Sequence, residues 1–99
     1  MKHYVFLNHV AWSDAETAIR LQEMNQYEQQ QATDYTHPLR LKSFVASRLL
    51  LKKALNLVNN SQEDWLFSKD QGRLIINHHN NNWHISLSHT HNYVACLLS

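Results

Sequence analysis

The chain has 99 residues, a length that suits one small domain or part of a larger one, because a chain this short buries only about 60 to 70% of its unfolded surface. Nine Lys and Arg against eight Asp and Glu leave a formal charge of +1, so no broad field gathers duplex nucleic acid or an anionic membrane, and any anion site has to be local. The single cysteine, Cys96, rules out a disulfide framework within the chain; with no apolar stretch near the roughly 20 residues of a membrane span, and no signal-peptide core, a reducing cytoplasmic setting is expected.

The first run, Tyr4 to Val10 (YVFLNHV), is short and rich in β-formers and predicts a strand. Ser13 and Glu16 have the spacing of a capping box, which starts a helix at Asp14. Ala18, Leu21, Met24 and Tyr27 step by three along it, but five glutamines from Gln22 to Gln31 dilute the stripe and predict one peripheral helix. Pro38 suits the first turn of a second helix, with Thr36 or His37 as its cap. Leu41, Phe44, Leu51, Leu55 and Val58 form one stripe that ends before Asn59 and Asn60. Arg48 falls inside this stripe. Its methylenes can lie on the core while its head reaches the rim or a buried partner; the alternative is contact with an anion.

Beyond Asp64 the helical period gives way to WLFS, KDQG and RLIIN, two β-rich runs around a four-residue loop that holds Gly72. Lys69 and Arg73 flank this hairpin tip, where cations serve solubility or a phosphate. The asparagine-rich stretch 77–82 predicts a solvated loop. WHISLS alternates Ile85 and Leu87 with Ser86 and Ser88, the period of a strand with one covered face. YVACLLS is apolar throughout and predicts a strand covered on both faces, with Cys96 a buried, inert thiol. Between them, HTHN holds Ser88 and His89 where a strand opens into a loop and can present donors to a ligand. The expected class is α+β, two helices packed on a small antiparallel sheet of hairpins.

Eight histidines, with His78, His79, His84, His89 and His91 close together in sequence, raise a metal site. Adjacent His78 and His79 would face opposite ways in a strand and no Cys-x-x-Cys or His-Glu-x-x-His spacing occurs, so surface histidines are the expectation. Trp12, Trp65 and Trp83 are expected as core or rim anchors.

In order, the helix FVASRLLLKKAL, the hairpin FSKDQGRLII and the strand-loop-strand ISLSHTHNYVACLLS resemble the first half of a 4′-phosphopantetheinyl transferase of the two-lobed Sfp type, over about residues 37–99. Ala46-Ser47-Arg48-Leu49-Leu50 matches that family's small-Gly-Arg-x-Leu segment, Gly72-Arg73-Leu74 its Gly-Lys-Pro, and Ser86-Leu87-Ser88-His89-Thr90 its Asn-x-Ser-His-Ser/Thr. Ser86 stands where asparagine is usual and Leu74 where proline is usual. The resemblance implies transfer of the phosphopantetheine arm of coenzyme A to a serine of an acyl or peptidyl carrier protein, with Mg²⁺ on the pyrophosphate in the complete enzyme. It implies that Ser88, His89 and Thr90 contact coenzyme A phosphates and that Gly72 and Arg73 line the nucleotide site. Lys42 or Arg40 would replace the basic residue near the helix start, whose ungapped position here is Ser43. His89 is then an anion contact rather than a base.

The family's acidic Gly-x-Asp-x-Glu and its Trp-x-x-Lys-Glu segments do not occur in the 99 residues. Mg²⁺ needs hard oxygen ligands to neutralise the leaving pyrophosphate. The chain is therefore expected to be an N-terminal lobe whose second lobe is missing, inactive by itself, and inclined to pair with that lobe or with a homodimer mate. A non-catalytic small protein-binding module is the rival; a nucleic-acid module is disfavoured by the balanced charge.

Overall fold

Local capping chemistry sets the helices. A computed structural model of the chain describes residues 3–71, 73–76, 83–90 and 92–99, with residues 69, 70 and 73 described by their backbone alone. Ser13 caps α1 (Asp14–Gln22), its hydroxyl accepting from Glu16 N at 3.1 Å. Glu16 does not complete the box, because its carboxylate meets Arg20 one turn on, at 3.5 Å. The expected single helix divides in two. Asn25 accepts from Glu28 N at 2.9 Å and so starts α2 (Gln26–Ala32), while the Gln29 amide donates to Met24 O at 2.7 Å and Gln22 O at 3.2 Å, carbonyls at and just past the end of α1. Among the described residues the chain thus forms three helices, where the sequence predicted two.

α3 (Pro38–Asn59) begins as predicted, with Pro38 in its first turn and His37 Nδ1 accepting from Leu39 N at 3.2 Å. It stops at Asn60, which takes the left-handed conformation (φ 50°), and Ser61 N donates back to Asn56 O at 3.0 Å.

β1 (Tyr4–His9), β4 (Ile85–His89) and β5 (Tyr93–Leu98) form an antiparallel sheet with β5 in the centre, in the order β1-β5-β4. The register pairs Leu7 with Ala95 and Ala95 with Ser88. β2 (Phe67–Asp70) and β3 (Arg73–Ile76) form a separate hairpin in which Asp70 pairs with Arg73. The pairing extends through Lys69 and Asp70, so the connection is shorter than the four-residue loop expected, and Gln71 turns with φ 51°. Gly72 and the stretch 77–82 lie outside the described residues.

The inner face of the three-stranded sheet presents Val94, Cys96 and Leu98 to Leu51, Ala54 and Leu55 of α3, in a core that also takes Trp65 and Phe67. Fully burying such aliphatic side chains stabilises by about 1.5 to 3 kcal/mol each. The outer face stays open: Tyr93 is 45% and Leu97 37% exposed, so β5 is covered on one face, not two. An all-apolar run cannot reveal this, since apolarity permits burial without supplying a second layer. Met24, Ala32, Phe44 and Val45 build a second cluster where α1 and α2 meet the start of α3.

The segment after α3 is tied down by Asn56. Its Oδ1 accepts from Trp65 Nε1 at 2.7 Å, Ser61 Oγ at 2.9 Å and Glu63 N at 3.0 Å, and its amide donates to Glu63 O at 3.1 Å. Replacing Asn56→Ala removes an acceptor shared by three donors, and is expected to lower unfolding free energy by about 2 to 4 kcal/mol in urea titrations; a change below about 0.5 kcal/mol would contradict this role.

Burial pushes the Cys96 thiol up from 9.0 to about 11. Because the unfolded chain ionises first, the thiol's contribution to stability is full below about pH 9 and is lost as pH climbs to about 11. The loss should be about 2 to 3 kcal/mol. Urea unfolding of the wild type and Cys96→Val, followed from about pH 8 to 11, should show that extra loss in the wild type alone; parallel curves would refute it.

Candidate functional site

α3 carries Arg40, Ser43, Phe44, Ser47 and Arg48 at helical spacings of three and four, on one side of the helix that lines a cleft. Leu74 of β3, Leu87 and His89 of β4, and Tyr35 ahead of α3 join them. Together they line a cleft of about 490 Å³. Helix, hairpin and strand end, far apart in sequence, therefore meet at one place.

Arg48 is the most constrained of these groups. It is 4% exposed, with its guanidinium carbon 5.1 Å from the Phe44 ring centre and 5.5 Å from that of Phe67. Burial holds its pKa below the ordinary arginine value, opposed first by the negative charge of Glu28 and then by Tyr35 and Tyr27. The side chain nonetheless stays charged, since arginine does not give up its proton in proteins. Its Nε–H has no hydrogen-bond partner among the described residues. Phe44 in turn stacks on Tyr35 at 4.9 Å between ring centres, which stiffens the end of the cleft.

Electrostatically the cleft is positive. The first turn of α3 contains no acidic residue, so its free N–H groups and the Arg40 side chain add fields of one sign. None of the lining residues is acidic.

Of the residues singled out by sequence, His89 lines the cleft and Leu74, next to Arg73, does so from β3. The Arg73 backbone is in β3, and its side chain lies outside the description, as does Gly72. Strand alternation puts Ser88 on the opposite face of β4 from Leu87 and His89, where it is exposed. Thr90 is exposed and donates its backbone N–H to Tyr93 O at 2.9 Å, closing the β4–β5 connection. Lys42 is half-buried and not part of the lining, whereas Arg40 and Ser43 are. Tyr35 and Ser47 also line it, and the sequence points to them only through their nearness to the start and the Arg48 turn of α3.

The histidines do not build a metal centre from the residues in view. Among the described residues no three of His, Cys, Asp and Glu lie together so as to hold a metal ion. His78, His79 and His91 lie outside the description. Among the described residues, likewise, no helix is long and apolar enough to cross a membrane. No protein-family model and no curated protein sequence matches the chain.

Proposed function

We propose that the chain is the coenzyme A-gripping N-terminal lobe of a 4′-phosphopantetheinyl transferase. The observation that carries the reading is the cleft itself, in which the start of α3, β3 and the end of β4, the three segments that bear the resemblance, line one positive cavity. Coenzyme A offers a pyrophosphate and a 3′-phosphate, which call for charge-assisted donors of the kind Arg40, Arg48 and His89 supply. The resemblance adds Gly72, Arg73, Ser88, Thr90 and Lys42 as further coenzyme A contacts, of which Ser88 faces away from the cleft and Lys42 does not line it. In the complete reaction a carrier-protein serine oxygen bonds to phosphorus, the phosphoanhydride bond breaks, and adenosine 3′,5′-bisphosphate leaves.

The 99 residues contribute binding and orientation to this reaction. Without the carboxylate segments they are proposed to bind coenzyme A and not to transfer its arm. Val5 at 72%, Leu7 at 67%, Tyr93 at 45% and Leu97 at 37% exposure make an apolar outer sheet face, which fits a second lobe or a second copy of this chain. The rival, a non-catalytic binding module, would offer its hairpin and helix to a macromolecular partner and leave the cleft without a small ligand. A reducing cytoplasmic compartment suits the buried free thiol of Cys96.

Calorimetric titration separates the two. Coenzyme A should bind and pantetheine, which lacks the phosphates, should not; His89→Ala should weaken coenzyme A by about ten- to a hundredfold. Equal, negligible heats for both ligands at millimolar concentration would remove the transferase reading. With a carrier protein and Mg²⁺ added, the 99-residue chain should leave the carrier serine unmodified by mass spectrometry, and any transfer would overturn its proposed inactivity.

A further inference from the structure

Arg48 occupies a position that an apolar side chain would fill at less cost. It shares a helix face with Leu51 and Leu55, yet keeps a full charge at 4% exposure. Glu28 attracts it through space, but the Glu28 carboxylate is bonded to Lys52, and Glu28 Oε2 and Arg48 Nε each lack a hydrogen-bond partner among the described residues. The two aromatic faces beside the guanidinium return only part of the lost hydration. A buried cation left in this state carries a large desolvation penalty, which an anion arriving through the cleft would relieve.

The surroundings select the kind of anion. Arg40 and His89 line the same cleft and are exposed, so two further donor groups are available to the oxygen atoms that Arg48 does not reach. Ser43 and Ser47 add hydroxyl donors on the same helix face. A carboxylate has two oxygens and one charge; a phosphate monoester has three free oxygens and nearly two charges, which matches two guanidiniums and an imidazole better.

We infer that Arg48 is a ligand-reading residue whose guanidinium, at the floor of the cleft, takes a phosphate monoester, with Arg40 and His89 holding the same group from the rim. The choice of coenzyme A as its source rests on the proposed function, because coenzyme A carries one monoester phosphate beside its pyrophosphate. The site's chemistry alone accepts any compact phosphate monoester or free phosphate.

The test uses the 99-residue chain, with coenzyme A, dephospho-coenzyme A and inorganic phosphate as separate titrants. The wild type should prefer coenzyme A over dephospho-coenzyme A by about tenfold or more. Arg48→Met should bring the two within about twofold, and Arg48→Lys should restore part of the preference. In ¹⁵N spectra of the wild type, the Arg48 Nε–H resonance should move on saturation with either coenzyme A or inorganic phosphate. A folded Arg48→Met that keeps the preference overturns the inference; if that variant does not fold, an Arg48 resonance unmoved by saturating coenzyme A does so. Movement with inorganic phosphate in a chain that ignores coenzyme A would sustain the Arg48 site and sink the transferase reading, and silence toward both would sink both.

Discussion

One face of α3 has to seat two different cores along a single line of residues. Its later half, Leu51, Ala54 and Leu55, lies against Val94, Cys96 and Leu98 of the sheet. Its earlier half, Phe44 and Val45, lies against Met24 and Ala32 from the smaller helices. The seam between these clusters falls at Arg48, whose two ring contacts come one from each, Phe44 on one side and Phe67 on the other. A cleft opens at this seam because neither core extends across it, and a charge can be kept there because its methylenes pack while its head faces the opening. The same helix that holds the molecule together thereby creates its candidate site.

A second constraint keeps the smaller helices in place. Glu28 is fully buried on α2, and Lys52 of α3 bridges it to Asp64, 2.7 Å away on the other side, in the segment that follows the helix. Asn25 joins the same group through Asp64 at 3.2 Å. Pairs of this kind add little net stability over apolar packing, since both ions must shed water, but breaking one partner leaves the other stranded. Their effect is orientation: α2, α3 and the segment after α3 are tied together, and Tyr35, just past α2, lines the cleft beside them.

The parts legible in the sequence are those governed by local chemistry. Ser13, His37, Pro38 and the long stripe of α3 announce themselves within a few residues, and the alternation from Ile85 to Ser88 does the same for β4. The division between α1 and α2 was also local, written in Asn25, but a run of apolar residues stepping by three masked it. Other features depend on partners remote in sequence. The hairpin's short loop follows from pairing that extends to Asp70 and Arg73, and the open outer face of β5 follows from the lack of a covering layer among the described residues. The cleft belongs to the same class: the sequence shows Arg48 as a charge in an apolar stripe, and only the approach of β3 and β4 gives it a cleft to line.

The alternation of β4 bears on how a ligand could engage both residues of its Ser88-His89 pair. Adjacent strand residues point to opposite faces, so a compact anion in the cleft can meet His89 and not Ser88. β4, however, is an edge of the three-stranded sheet, and among the described residues no strand pairs with its outer side. An elongated ligand with two separated phosphate groups can place one in the cleft beside His89 and carry the other around this edge to the face that holds Ser88. Coenzyme A has that form, with its 3′-phosphate on the ribose and its pyrophosphate several bonds away. Ser88 and His89 thus lie on the two faces of one sheet edge, and a single group small enough to sit in the cleft reaches only the second of them.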